Sequence, residues 1–260
     1  MVTLLRSARL EVVVTAVPCV PAGSALVLAA GNGDRFHNRT HQSKLLQPVL
    51  GHPLILRTLE TARDAGITGF EVVLGYQADA VRAAIERNPP AGATIHFSYN
   101  EDWRLENGVS VLAARARLAG RRFALLMGDH LFEARVLTRL LLVEAPEGAS
   151  LLAVDSRTHE PEVAAEATKV RLAGDRIVAI GKDLAEYDAL DTGLFVCSPD
   201  LFAALDASRA GGDTTLTGGI RRLAARGRMR AVDIGDATWH DIDTMADLET
   251  AESLLGAQPA

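Results

Sequence analysis

Apolar residues in the first half of this chain come in two alternating rhythms. Short runs predict strands: Ser24 to Ala30 and Arg122 to Met127 hold unbroken apolar stretches, which suit a strand buried on both faces, and Phe70 to Leu74 is interrupted by Glu71 alone. Thr94 to Tyr99 reads as a further strand. Between these runs lie amphipathic stretches that predict helices: Pro53 to Ala65, Ala78 to Arg87, Gly108 to Leu118 and Glu133 to Val143. Pro53 is tolerated in a first turn, Gly66 stops that helix, and Asn88-Pro89-Pro90 ends the next. Strands separated by helices of this length imply a mostly parallel sheet covered on both faces.

The rhythm changes near Ala149. Thr168 to Leu172, the turn Ala173-Gly174-Asp175 and Arg176 to Ile180 predict a β-hairpin. Ala189 to Cys197 predicts a strand, Pro199 to Leu205 a short helix, Leu216 to Arg226 a helix and Met229 to Ile234 a strand. Thr244 to Leu255 predicts a closing helix, with Thr244 as its N-cap and Asp247 in its first turn. The expected fold is therefore α/β: a mostly parallel, Rossmann-like central sheet with helices on both faces and a small β-rich part. Residues 1–23 read as an N-terminal extension or an added strand. Residues 24–256 read as one domain with halves 24–149 and 150–256, because the change of pattern carries no linker.

Composition narrows the classes. A chain of 260 residues with 48% hydrophobic positions is long enough for a sizeable core. Its net charge of -6 argues against a nucleic-acid surface. Arg221-Arg222 and Arg226-Gly227-Arg228 read as a solvated helix end. No apolar run reaches membrane-spanning length, so no membrane contact is expected. Cys19 and Cys197 form no CxxC pair, and neither zinc nor a disulfide framework is indicated. The expected setting is the cytoplasm.

Candidate chemistry gathers after the strands, where open α/β sheets place their ligands. The first strand runs into Gly31-Asn32-Gly33-Asp34-Arg35, and Lys44 follows. Glycines let backbone N–H groups approach phosphate oxygens, and Arg35 and Lys44 supply positive charge. No Gly-Lys-Ser/Thr closes a Walker loop, and Phe36 holds the third glycine position of a dinucleotide fingerprint. A phosphate loop and a structural turn both remain open. Asp129 follows the strand ending at Met127, and Asp241 and Asp243 follow the last strand. Carboxylates in such places suit Mg2+, a hard ion that takes carboxylates, phosphates and water. Asp129 as a cap for a helix starting near Leu131, and Asp243 as a cap for the last helix, are the alternatives. His130 reads as a metal ligand, a substrate contact or a satisfied histidine, with the last two favoured, and His240 as structural. Asn107-Gly108-Val109-Ser110 opens a helix and serves either a base or ribose, or plain capping. Asp191-Thr192-Gly193 serves a second substrate or forms a bulge.

These motifs resemble a known family. Leu28-Ala29-Ala30-Gly31-Asn32-Gly33-Asp34-Arg35 with Lys44 looks like the signature of the sugar-phosphate nucleotidyltransferases. Gly128-Asp129-His130, Glu166-Ala167-Thr168-Lys169-Val170, Ile180-Gly181-Lys182, Asp191-Thr192-Gly193 and Trp239-x-Asp241-x-Asp243-Thr244 narrow it to inositol-1-phosphate cytidylyltransferase domains and the phosphonate cytidylyltransferases. The match runs from about Ser24 to Leu255. Gly128 departs from the serine this family often has there, and His37 to Gln42 add basic and polar residues.

The resemblance implies a nucleotide-diphospho-sugar-transferase-like fold and transfer of CMP from CTP to a small phosphate monoester or a phosphonate. Residues 24–149 would bind the nucleotide and 150–256 the acceptor. It implies Mg2+ held by Asp129, Asp241 and Asp243. Leu28, Ala29, Ala30, Gly31, Asn32, Gly33, Asp34, Arg35, Lys44, Gly75, Asn107, Gly108 and Ser110 would bind the nucleotide. His130, Glu166, Lys169, Lys182, Asp191 and Thr192 would bind the acceptor, with Arg35, Lys44, Asp129 and Lys169 the catalytic set. The bifunctional inositol enzymes carry a membrane-embedded synthase domain that this sequence does not show, which keeps phosphonates open as acceptors. A uridylyl- or guanylyltransferase and a non-catalytic nucleotide-binding module are the rival readings.

Overall fold

The computed structural model describes residues 23–33, 36, 42–157 and 161–256. The expected extension before Gly23, together with Asp34, Arg35 and residues 37–41, lies outside the described residues. The strands in chain order are β1 (Ser24–Ala29), β2 (Pro48–Val49), β3 (His52–Pro53), β4 (Gly69–Leu74), β5 (Thr94–Tyr99), β6 (Phe123–Met127), β7 (His130–Phe132), β8 (Ser150–Asp155), β9 (Lys169–Ala173), β10 (Arg176–Gly181), β11 (Ala189–Cys197), β12 (Met229–Asp233) and β13 (Trp239–Asp241). The helices are α1 (Leu54–Asp64), α2 (Ala78–Arg87), α3 (Asn107–Ala113), α4 (Arg115–Leu118), α5 (Ala134–Leu142), α6 (Pro161–Glu166), α7 (Asp200–Ala210), α8 (Leu216–Ala225) and α9 (Met245–Gly256).

Nine strands form one continuous sheet in the order β5-β4-β1-β6-β11-β8-β12-β10-β9. The first-half strands pair in parallel, and β12 pairs in parallel with β8. β11 runs antiparallel between β6 and β8 and joins the two halves. β9 also pairs with the start of β11, so the second-half strands close on themselves. Two hydrophobic layers cover the two faces. One holds Leu56, Leu59 and Phe70 under α1, and the other holds Phe123, Phe195 and Leu223 under α3, α7 and α8.

Four readings are corrected. The helix expected over 108–118 divides at Ala114 into α3 and α4, and α7 continues to Ala210. Ser150–Asp155 is a central, fully buried strand that the pattern did not single out. Its run of Leu, Leu and Ala carries little β-branched character, so periodicity does not separate it from a buried helix. No helix starts near Leu131: that residue lies in β7, and α5 begins at Ala134. Among the described residues, no helix is long and apolar enough to cross a membrane.

Candidate active site

The directions of β1, β4, β6, β8 and β12 agree, so their carboxyl ends share one edge of the sheet. The antiparallel β11 begins at that same edge. Asp129 just beyond β6, Asp155 ending β8 and Asp191 near the start of β11 therefore come together there.

A small ribbon delivers the remaining acids. β13 pairs with β7 in the register Asp241 to His130, and the Ile242 N–H donates to the Asp129 carbonyl at 3.1 Å. Backbone pairing thus joins segments more than a hundred residues apart in sequence. The buried Thr58 hydroxyl of α1 lies 3.1 Å from the Gly128 carbonyl and 3.0 Å from that of His130, and pins the backbone on both sides of Asp129. At α9, Thr244 and Asp247 form a reciprocal cap: the Thr244 N–H donates to Asp247 at 2.7 Å, and the Asp247 N–H to the Thr244 hydroxyl at 3.2 Å. Capping falls to this pair, and the Asp243 carboxylate faces Lys44 instead.

Lys44 is the centre of the cluster. Only 7% exposed, its ammonium lies 2.8 Å from Asp129 and 2.9 Å from Asp243. Burial opposes its charge, but Asp129, Asp243 and Asp241 outweigh burial and raise its pKa. Burial likewise opposes ionisation of Asp129, yet Lys44 and His130 hold its carboxyl well below the usual range. His130 Nδ1 lies 3.0 Å from Asp129 and 3.5 Å from Asp241. Burial disfavours the imidazolium, but Asp241 and Asp129 win and bring His130 up to about 9. Asp241 goes the other way. Burial, with the charges of Asp129 and Asp243, pushes it up to about 6 against the pull of His130. Three carboxylates are crowded beyond what one lysine and one histidine balance.

That surplus suits a divalent ion. Ligand atoms of Asp129, His130 and Asp241 lie within 4.8 Å of one another. Carboxylate oxygens are the donors that hard ions such as Mg2+ prefer. Asp129 and Asp241 fit that role, while His130 is engaged as hydrogen-bond partner to the acids and the Asp243 carboxylate lies on Lys44.

The glycine turn lies on the lysine. Gly33 has φ +63°, and a Cβ there would stand 3.0 Å from the Lys44 side chain. The Ser43 N–H donates to Gln77 at 2.9 Å, which ties the Lys44 turn to the start of α2. Gly31 is exposed, and Asn32 and Gly33 are partly so. Leu28, Ala29 and Ala30 are buried as strand packing. Gly75 is a close-packing residue, since a Cβ would meet Trp103 at 2.5 Å and the Ala30 carbonyl at 2.7 Å. Gly108 does the same against Thr214 and Thr215. Ser110 is buried and accepts from the Asn100 amide at 3.0 Å. Asn107 accepts from the Leu216 N–H at 2.8 Å and lines the cavity beside the acids.

That cavity, about 1270 Å³, opens between the acid cluster and the second-half strands. His130, Glu166, Lys182 and Asp191 line it together with Asp129, Asp241 and Asp243. Burial pushes Asp191 up to about 6, against its bond from the Gly193 N–H and the charge of His130. Thr192 does not reach the cavity. Fully buried, it donates to the Ala153 carbonyl at 2.8 Å and anchors the β11 bulge that the sequence offered as the alternative. Lys169 donates to the Lys182 carbonyl at 2.7 Å and packs over Tyr187, so its ammonium is engaged at the hairpin edge. Gly193 has φ +75°, and a Cβ there would stand 2.6 Å from the His130 ring. Thr58, Asp155 and Arg157 carried no signal in the sequence reading. Trp239 carried only its place in a motif.

A cation bridging acids beside a glycine turn, at the carboxyl edge of such a sheet, is the arrangement of a nucleotidyltransferase. The chain belongs to the MobA-like NTP transferase family, whose domain matches residues 25–224. It is 38% identical over 235 residues to the bifunctional IPC transferase and DIPP synthase of Rubrobacter xylanophilus, covering 89% of this chain and 51% of that protein. It is 30% identical over 246 residues to the CMP-5'-(3-aminopropyl)phosphonate synthase of Streptomyces rubellomurinus, covering 88% of this chain and 38% of that protein. The chain thus spans about half the length, or less, of these relatives. Among solved structures it is similar to the inositol-1-phosphate CTP transferase from T. maritima, with a TM-score of 0.78, 25% identity and coverage of 93% and 99% of the two chains.

Proposed function

We propose that this chain is a Mg2+-dependent cytidylyltransferase that transfers CMP from CTP to a small phosphate monoester, such as inositol 1-phosphate, or to a phosphonate, releasing pyrophosphate. The observation that carries the reading is the single Lys44 ammonium that joins Asp129 and Asp243 beneath the glycine turn. Residues 24–149 bind the nucleotide in this reading, and 150–256 supply most of the acceptor cavity. Its setting is the cytoplasm, which supplies nucleoside triphosphates.

An acceptor oxyanion attacks the α-phosphorus of CTP. The new P–O bond forms as the bond to the β-phosphate oxygen breaks, and pyrophosphate leaves with that electron pair. The acceptor's second phosphate ionisation lies near pH ~6, so it arrives already largely ionised and needs no general base. This agrees with a site in which no nucleophile and base pair is found among the described residues. Catalysis is then positioning and charge neutralisation. Gly31 and Gly33 offer backbone N–H groups to the triphosphate, and Lys44 and Arg35 offset its charge. Asn107 faces the base or ribose, while Lys182 and Asp191 hold the acceptor. Asp129 and Asp241 would hold Mg2+, which when bound supplies Lewis-acid charge at the phosphates.

A pyrophosphate-release panel tests this. CTP, UTP, GTP and ATP are each offered with inositol 1-phosphate, choline phosphate and 3-aminopropylphosphonate. The expected result is release with CTP and one acceptor class. Preference for UTP or GTP overturns the cytidylyl assignment, and CTP binding with no release under any pairing makes the chain a binding module.

A further inference from the structure

Asp155 is a charged residue with no exposed surface, at the carboxyl end of β8 and so on the site edge. Burying a carboxylate is costly unless its oxygens are satisfied. Here they are. Oδ1 accepts from the Arg157 N–H at 3.0 Å and from Arg157 Nε at 2.9 Å. Oδ2 accepts from Arg157 Nη2 at 2.6 Å and from Trp239 Nε1 at 2.9 Å. Ser156, between them, donates to Asp233 and fixes the turn from its other side. The fork geometry fixes the plane of the guanidinium and occupies its Nε and Nη2 edge. Nη1 is left outside the pair.

The clamp belongs to the cavity. Asp155, Arg157 and Trp239 all line it. The Trp239 ring stacks on His130, with centroids 6.3 Å apart and planes at 28°, and His130 touches Asp129. A chain of contacts links the acid cluster to Arg157 through His130, Trp239 and Asp155. A guanidinium held there is a rigid donor, and Lys182 is a second donor in the same cavity. Asp191, on the same wall, is an acceptor. Hydroxyl groups both donate and accept, so a polyol matches this mixture of donors and acids.

We infer that Arg157, clamped by Asp155, which Trp239 also holds, is a specificity-determining residue that reads the hydroxyl groups of the acceptor. The inference rests on the cytidylyltransferase reading, and its test separates the two. Steady-state kinetics with CTP are measured for wild type, Arg157→Gln, Arg157→Lys and Trp239→Phe, together with melting temperatures. Arg157→Gln should raise the KM for inositol 1-phosphate about tenfold or more, the loss of one charge-assisted hydrogen bond. The KM for CTP should stay within about twofold, because uniform acceptor binding is what is lost. The KM for 3-aminopropylphosphonate, which offers no hydroxyl group to Arg157, should stay within about twofold. Arg157→Lys should lie between, keeping charge without the fork. Trp239→Phe, which removes one bond to Asp155 and keeps the Asp155–Arg157 fork, should give the smallest acceptor effect.

An unchanged acceptor KM in Arg157→Gln, or an equal rise in both KM values, overturns the proposal and leaves Arg157 a structural clip. If the wild type turns over no acceptor, the cytidylyltransferase reading fails by itself. Calorimetric binding of inositol 1-phosphate to wild type and Arg157→Gln then decides the role of Arg157, with equal affinity counting against it.

Discussion

Asp129 and Asp155 look alike in the chain: each carboxylate follows a buried apolar strand, and each strand ends at the same edge of the sheet. Their surroundings differ. Asp155 is satisfied by donors that include Arg157 and Trp239. Asp129 shares Lys44 and His130 with two more acids, and the strain of that sharing registers on Asp241, pushed up to about 6 by burial and by its acidic neighbours. A carboxylate at a strand end is therefore not itself a reactive site. A saturated one organises its donors, and an under-balanced cluster is where a further cation and phosphates belong.

The largest effect expected on this contrast is on turnover. Asp129→Asn should lower pyrophosphate release per folded molecule by about a hundredfold or more, the scale of losing a main electrostatic group, and should lower the melting temperature less than Asp155→Ala because Asp243 and Asp241 still pair with Lys44 and His130. Near-normal release in that variant would break the contrast at its first member. Asp155→Ala should do the reverse. Removing one partner of a buried pair costs about 3–5 kcal/mol, read from urea unfolding, while turnover per folded molecule at saturating acceptor stays close to wild type. Gly193→Ala comes next: its Cβ would meet the His130 ring at 2.6 Å, and overpacking of this kind costs about 1–3 kcal/mol.

The smallest and most diagnostic effect is on the pH dependence of stability. His130 is brought up to about 9, so its contribution is complete below its ordinary value of 6.5 and fades as pH rises through about 9. Asp155 is lowered to about 2: burial opposes this, and the hydrogen bonds from Arg157 and Trp239 outweigh it. Its contribution is complete above its ordinary value of 3.8 and fades as pH falls through about 2. Melting curves should therefore flatten at the alkaline end in His130→Gln and at the acid end in Asp155→Asn. Flattening at the same end in both would contradict the separation of the two regions.

Much of the fold was legible because its signals are local. β5, β11 and α2 fall on the residues their patterns predicted, and the hairpin of β9 and β10 lies around its Gly174-Asp175 turn. β8 was missed because a strand buried on both faces has no polar alternation, and its neighbours are fixed by pairing rather than by its own residues. The acids of the site were legible by their place after apolar runs, and the β7 and β13 ribbon that unites them was not. That ribbon is three residues on each side, too short for any periodicity, and its register depends on contacts between distant segments. Asp155 escaped notice with its strand, and Arg157 with it. Ser110 and Thr192 were read as ligand contacts because they are polar residues in motifs. Burial gives them backbone and amide partners instead.

Pyrophosphate release from CTP and inositol 1-phosphate, followed as Mg2+ is titrated into chelator-treated enzyme, bears most directly on the whole account. Release that is absent in chelator, returns with Mg2+ and stays absent in Asp129→Asn is the predicted result. Release that proceeds in excess chelator, or that Mg2+ restores equally in wild type and Asp129→Asn, would contradict it.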